Sequence, residues 1–489
     1  LTTCREAAFG HPAGRGSSGH GARPSHREEE TPVRRLISLL AIVAVIAAGC
    51  GTSTPANSPA APSTATGASA PVTPSAEPST VAALPEGTLR VLVHQNPPFT
   101  DFMNIFNAEF EARHPGVKVD MSIVAPNDLA TTTQTRLTAN DVDVVDMFAF
   151  DTAVQPYMKE ATPPIWQTLA DNGSLMDLTD QPFVKLYDPN SIKDAGTYNG
   201  KVYEINLARV GFSGLYINKD LFTKHNVAVP TTWSELVAAC QAFKAASVPC
   251  MTAGGQDGWP IFVTGYGIVG SSFPDQAAYV EGLWTGSVKY NDAANLEMWK
   301  KLQILAQDMI EPGATGIAAD GAPGRFAGGE VATLSGFTWL APAIEAAQPA
   351  FAWDFITFPA SDNVDDNKYV FGKYDQGWTI NAKTDKKDTA LAYLAEFSDP
   401  ANYQKFVTAV GAIPTQPTAT LDTQLGKAIS PFLQDFRIGW ERYWIAPKGA
   451  GEFAFPFATF LKPFGTFSTA DEAANKAQAD LQAGLDSLK

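Results

Sequence analysis

Between residues 87 and 150 the hydrophobic period switches repeatedly between two and 3.6 residues, and this most narrows the folds open to the chain. GTLRVLVH at 87–94 reads as a strand. At 100–114, Phe102, Met103, Phe106 and Phe110 recur at helical spacing and give one apolar face, which Pro115-Gly116 brings to an end. A second strand is expected at 117–124. Asn127 or Asp128 is expected to cap a helix running to about residue 137. VDVVDMFAF at 142–150 reads as a buried strand. Strand, helix, strand, helix, strand in this order predicts an α/β fold with a mainly parallel sheet flanked by helices. Ligands of such sheets sit beyond the carboxyl ends of the strands. That rule places residues 94–96, including Asn96, and Phe150-Asp151 at a cleft.

The stretch 198–236 carries the densest local signals. Asn199-Gly200 predicts a tight turn, followed by an alternating run from Val202 to Leu207. After a short break at 209–213, a strand is expected at 214–218 and a helical piece at 219–224. Thr232 and Glu235 have capping-box spacing. Trp233, Leu236, Val237, Cys240 and Phe243 then form one stripe of a new helix.

In that stretch Gly200-Lys201-Val202-Tyr203 is followed by Leu215-Tyr216-Ile217-Asn218-Lys219-Asp220-Leu221-Phe222. Then come Val227, Pro230, Thr232-Trp233 and Glu235-Leu236. This ordered string resembles the extracellular solute-binding proteins of bacterial ABC importers, in the carbohydrate-binding branch that includes maltose-binding protein. The resemblance runs over 87–489. It extends to GSLMDLTD at 173–180, FAGGEVATLSGFTWL at 326–340, GWTIN at 377–381 and GAIP at 411–414. It implies a two-lobed, periplasmic-binding-protein-like fold joined by a multi-strand hinge. Lobe 1 is expected at 87–209 and 380–427, and lobe 2 at 210–379 and 428–489. A last helix is expected from the Thr469 and Glu472 capping box, with Ala474, Ala477, Leu481 and Leu485 as its stripe.

The segments ahead of residue 87 read differently. Residues 1–32 are rich in Gly, His, Arg and Glu without an apolar period, and read as upstream sequence that is not native, with the start at Val33 or nearby. Residues 33–49 read as a lipoprotein signal peptide: Arg34-Arg35, then an apolar run too short for the roughly 20 residues of a spanning helix. Ala47-Ala48-Gly49-Cys50 resembles the bacterial lipobox, although the family usually has Leu where Ala47 stands. The resemblance implies lipidation at Cys50 and a place on the extracellular face of the cytoplasmic membrane; the alternative is ordinary cleavage to a soluble product. Residues 50–86, dominated by Ser, Thr, Pro and Ala, cannot build a core and read as a tether.

Composition excludes some functions. A net charge of −16 repels the phosphates of nucleic acid. Of the 6 histidines only His94, His114 and His225 fall in the globular part, far apart in sequence. No metal site, histidine base or cofactor is expected. Cys240 and Cys250 either pair, tying a helix to the next strand, or stay as two buried thiols. Three patterns are set aside. Gly265, Gly267 and Gly270 match GxGxxG but open no strand-turn-helix unit. GTYNGK at 196–201 has the wrong spacing for a phosphate loop. Asp141, Asp143 and Asp146 lack the glycine and distal glutamate of a calcium loop.

A sugar offers apolar C–H faces to aromatic rings and hydroxyls to carboxylates, amides and arginine. With 10 Trp, 13 Tyr and 29 Phe, most rings must be core. The resemblance selects among them. Phe150-Asp151 falls where maltose-binding protein has a tryptophan and an aspartate. Phe337 and Trp339 lie in the family's stacking turn. Trp440, Tyr443 and Trp444 stand at its C-terminal aromatic cluster. Trp259, between Gly258 and Pro260, reads as a loop residue, and Arg209 sits at the hinge. The expected function is capture of a carbohydrate between two lobes by a monomer, with delivery to a membrane permease and no catalysis. A non-sugar solute such as a polyamine or peptide on the same fold, or a secreted glycoside hydrolase with a carboxylate pair, are the alternatives.

Overall fold

The computed structural model describes residues 83–147, 151–455 and 458–489. The segments read as upstream sequence, signal peptide and most of the tether, together with Cys50 and Phe150, lie outside the described residues. The chain forms β1 (Gly87–His94), β2 (Val117–Val124) and β3 (Val144–Met147), with helices Pro97–Arg113 and Pro126–Ala139 between them. A hairpin of β4 (Thr197–Tyr198) and β5 (Lys201–Val202) precedes β6 (Ile205–Asn206), β7 (Ala208–Gly211) and β8 (Gly214–Asn218). Then follow β9 (Met251–Thr252), β10 (Thr333–Ser335), β11 (Trp353–Thr357), β12 (Phe371–Tyr374), β13 (Gly377–Ile380), β14 (Ile413–Pro414) and β15 (Arg437–Ile438).

These strands build two lobes and a bridge. The first sheet has the order β2-β1-β3-β13-β6, the second β11-β8-β10-β9, and a bridging sheet β14-β7-β12-β15. Both lobe sheets are mixed rather than mainly parallel as expected: β13 in the first and β8 in the second pair antiparallel with both neighbours, while the other strands of each sheet share one direction. The chain passes from β6 through β7 to β8, returns from β11 through β12 to β13, and meets the bridge again at β14 and β15. Three segments therefore cross between the lobes, side by side. β7 and β12 approach so closely at Gly372 that a Cβ there would lie 1.9 Å from the Val210 carbonyl oxygen. Only glycine fits.

Local signals explain the elements. Phe102, Met103, Phe106 and Phe110 are all buried, and Phe106 meets Tyr393 and Phe397 edge-on at 5.1 and 5.5 Å. Each such side chain contributes roughly 1.5–3 kcal/mol through burial. The Asn199-Gly200 turn has φ of 49° and 75°, the left-handed pair of a type I′ hairpin. Both capping boxes form, Thr232 with Glu235 and Thr469 with Glu472. Cys240 and Cys250 are joined, with Cα atoms 5.0 Å apart.

Elsewhere the structure differs from the reading. The Pro126–Ala139 helix is entered through Ala125 with proline in its first turn, not through an Asn127 or Asp128 cap. Proline presets the helical φ and brings no N–H that needs a partner. The alternating run from Val202 to Leu207 is shared between two sheets, and the supposed break at 209–213 is mostly β7, the first crossing. The strand placed at 142–150 is formed at Val144–Met147 among the described residues. Asp143 is held by Arg90, at 2.8 Å from Nη2 and 3.0 Å from Nε. Gly267 and Gly270 sit in the helix Tyr266–Ser272, packed under Phe358 and Phe371, which accounts for the small residues.

The Cys240–Cys250 bond closes a loop across a sequence separation of 10. Reduction is expected to lower unfolding stability by roughly 2–3 kcal/mol, from loop-closure entropy. Urea unfolding with and without reductant checks this; superimposable curves would contradict it.

Candidate functional site

The turn after β10 builds an aromatic shelf. Gly336 lies against the backbone of Gly214 on β8, its N–H bonded to the Gly214 carbonyl at 2.8 Å, and this brings the turn tightly over the sheet end. The Phe337 and Trp339 rings stack 4.9 Å apart at 12°. Trp259, first residue of the helix Trp259–Thr264, lies 5.8 and 6.0 Å from them. Phe212 presents its edge to both, at 6.2 and 5.4 Å. Phe337 is buried, whereas Trp259 and Trp339 are half-buried, so the two tryptophans keep ring surface to offer. A flat, electron-rich face of this kind suits the C–H face of a sugar ring.

Phe212 also ties the shelf to a polar floor. It stacks on Tyr266 at 5.2 Å, and the Lys373 ammonium stands 5.5 Å from its ring centre. Lys373, on β12 of the bridge, is buried and lies 3.8 Å from the Asp375 carboxylate. The Tyr266 hydroxyl donates to Glu441. His94, at the carboxyl end of β1, pairs with Asp146 of β3. Burial works against a charged His94 ring, but Asp146, with a smaller pull from Asp375, more than offsets it and the pKa is raised. Burial raises the Asp375 carboxyl, with Lys373 opposing it. Burial pushes the Asp151 carboxyl up to about 6; Glu441 adds to the shift, and Lys373 and Arg442 oppose it.

Acids and bases from both lobes thus converge at the bridge. The Thr152 N–H donates to the Arg442 carbonyl at 2.7 Å, joining the loop after β3 to the 440–443 turn. That turn packs on the second lobe, where Trp440 meets Tyr279 and the Trp284 indole donates to Ile445. Arg442 also faces Asp194 of the first lobe and lies 5.7 Å from the Tyr374 ring centre. Burial lowers the Arg442 pKa, and Tyr443, Asp194, Tyr374 and Asp151 counter it.

The residues picked from the sequence fall into groups. Trp259, Phe337 and Trp339 come together in the shelf. Asp151 joins the polar floor. Asn96 stands at the end of β1 as the residue before the Pro97–Arg113 helix, without a side-chain capping bond. Arg209 lies on β7 with its guanidinium 5.2 Å from the Phe436 ring centre and 3.4 Å from the Pro414 carbonyl. Tyr443 is half-buried beside Arg442. Trp440 and Trp444 are core residues, packed on Phe455 at 4.1 and 6.4 Å, so the structure does not place them as sugar-facing plates. Reading the sequence missed Phe212, Tyr266, Lys373, Asp375 and Glu441. Only the closeness of Lys373 and Asp375 to the GWTIN string at 377–381 could have pointed to two of them.

Among the described residues no group of three or more His, Cys, Asp or Glu could hold a metal ion, and no helix is long and apolar enough to cross a membrane.

Comparison with known proteins agrees with this architecture. The profile of the bacterial extracellular solute-binding protein family matches residues 96–404. A multiple sugar-binding protein of Streptococcus mutans is 25% identical over 305 residues, 61% of this chain and 68% of that protein. Among solved structures, RafE in complex with raffinose is 20% identical with a TM-score of 0.64, covering 82% of this chain and 100% of its own. A chitin oligosaccharide binding protein is 18% identical with a TM-score of 0.67, covering 82% of this chain and 99% of its own. The profile spans more than half of the chain, and the chain belongs to the bacterial extracellular solute-binding protein family.

Proposed function

We propose that this protein captures a mono- or oligosaccharide between its lobes and presents it, chemically unaltered, to the permease of an ABC importer. The observation that carries this reading is the shelf of Trp259, Phe337 and Trp339 beside the charged floor of Lys373, Asp375, Asp151 and Glu441. One face binds C–H groups, and the other exchanges hydrogen bonds with hydroxyls. A raffinose-bound neighbour and a chitin oligosaccharide binding neighbour support the same ligand class. Because the ligand touches both lobes only when they are closed, binding shifts the population toward closure about the three crossing segments. The protein acts as a monomer, uses no cofactor, and is held by a lipid on Cys50 at the extracellular face of the membrane, with 50–86 as its tether.

A cationic solute such as a polyamine is the nearest rival, because Asp151 and Glu441 lie close enough to raise the Asp151 pKa. Lys373 and Arg442 act on the same carboxylate with the opposite sign and offset that attraction. A neutral polyol, which both accepts and donates hydrogen bonds, fits this mixture better.

Two measurements test the reading. In a thermal-shift screen of oligosaccharides and polyamines, a sugar at 100 times its Kd is expected to add about 2.7 kcal/mol of stability. Trp339→Ala is expected to weaken binding of that sugar by about tenfold, through loss of one stacking plate. Stabilisation by a polyamine alone, or unchanged affinity in the variant, would contradict the proposal.

A third measurement concerns pH. With Asp151 titrating at about 6 and acting as a hydrogen-bond acceptor when ionised, sugar affinity is expected to fall about tenfold from pH 7 to pH 5. The folding contribution of this carboxyl runs the other way. Its folded pKa is raised, so its stabilisation is complete below the ordinary value of 3.8 and is lost as pH rises through about 6. Titration calorimetry across this range, with Asp151→Asn as the comparison, checks the affinity; an equally steep fall in the variant would assign it to another group.

A further inference from the structure

The three shelf rings, Trp259, Phe337 and Trp339, also line a small recess. It is lined by Trp259 and Trp339 on one side and by Gly254, Ala319 and Ala322 on the other, with Ser335 also in its wall and about 30 Å³ of free space. Its back wall is backbone. A Cβ at Gly254 would lie 2.4 Å from the Ala319 Cα, and the Ala319 N–H is fixed at 2.7 Å by the Asp257 carboxylate. Such a wall gives little when a guest enters. Ser335 is the last residue of β10, at the carboxyl end of the strand. It is 1% exposed, and its hydroxyl is buried without a hydrogen-bond partner.

Apart from the exposed Asp320 at its rim and the indoles, the recess has apolar side chains, and an unpartnered buried hydroxyl in such a wall asks for a specific guest. A water molecule would fit by size, but buried waters hold two to four polar partners, and besides Ser335 and the indoles the one polar side chain of this lining is the exposed Asp320. A pyranose ring is far too large. A single carbon bearing one hydroxyl meets both demands: its methylene packs against indole and alanine, and its oxygen bonds to Ser335. The exocyclic hydroxymethyl group of a hexopyranose is that arm. Pentopyranoses lack it.

We infer that the recess lined by Trp259, Trp339 and Ser335 is a hydroxymethyl subsite, and that it selects hexose-built over pentose-built saccharides. This rests on the carbohydrate reading above. A hexose ring lying on the shelf places its C6 arm in the recess. A pentose ring on the same shelf leaves the Ser335 hydroxyl dry and unpaired, and that difference is the source of discrimination.

Titration calorimetry with raffinose, cellotriose and xylotriose tests it on the wild type, Ser335→Ala and Ser335→Val. At least one hexose trisaccharide is expected to bind about tenfold or more tightly than xylotriose. Ser335→Ala, which only removes an oxygen, is expected to cost that ligand about three- to tenfold. Ser335→Val suits a strand end and fills the recess, and should cost about tenfold or more while leaving xylotriose unchanged. Equal or tighter binding of xylotriose by the wild type would overturn the subsite. So would hexose affinity that neither variant alters, because the recess would then be a structural gap. A wild type that binds none of the three would defeat the carbohydrate reading and the subsite with it, an outcome distinct from binding without selectivity. Melting temperatures of both variants show whether a loss reflects unfolding.

Discussion

The pairing of β7 with β12 is the contact on which the rest of the structure depends. These two strands carry the chain out of the first lobe and back, and they lie so close at Gly372 that the Val210 carbonyl fills the space a side chain would take. Backbone hydrogen bonds hold this bridge regardless of what the lobes enclose. One of its side chains belongs to the candidate site. Lys373 reaches toward Phe212 and Asp375, so the hinge and the floor of the site are built from the same residues. In the proposed closure, a twist of the bridge would move the polar floor directly.

The site divides its work between two kinds of surface. The stacked rings of the β10 turn belong to the second lobe and are fixed by close backbone approach at Gly336. The carboxylates at Asp146 and Asp151 come from β3 and the loop after it in the first lobe. The second lobe thus brings the rings together with Tyr266 and Glu441, and the first adds its own carboxylates. Arg442 faces Asp151 and Asp194 across this division, and the Thr152 N–H bond to its carbonyl adds a neutral contact. Lys373 and Arg442 stand among the carboxyl groups at the bridge, so the floor presents hydrogen-bond donors as well as acceptors.

Much of the fold was legible because local rules are strong where period and capping agree. The apolar face of Phe102, Phe106 and Phe110, the Asn199-Gly200 turn and the two capping boxes each follow from a few neighbouring residues. The site was legible only in part. Trp259, Phe337 and Trp339 are rare side chains in irregular segments, and they did come together. Trp440 and Trp444 looked equivalent by type and position, but packing on Phe455 and Tyr279 turned them into core. Lys373, Asp375 and Glu441 have no period and no local partner pattern. They meet because three crossings bring distant segments to one sheet, and that convergence is topological. The Asn127 cap failed for a local reason, since Pro126 had already preset the helix start.

In the proposed mechanism two lobes close about this bridge on a saccharide held between the indole shelf and the charged floor. Small-angle X-ray scattering during titration with an oligosaccharide found to bind tests it most directly. The account predicts a ligand-dependent fall in radius of gyration that saturates with binding and is much reduced in a Trp339→Ala, Lys373→Ala double variant. A radius of gyration that stays constant while calorimetry shows the sugar bound would contradict it.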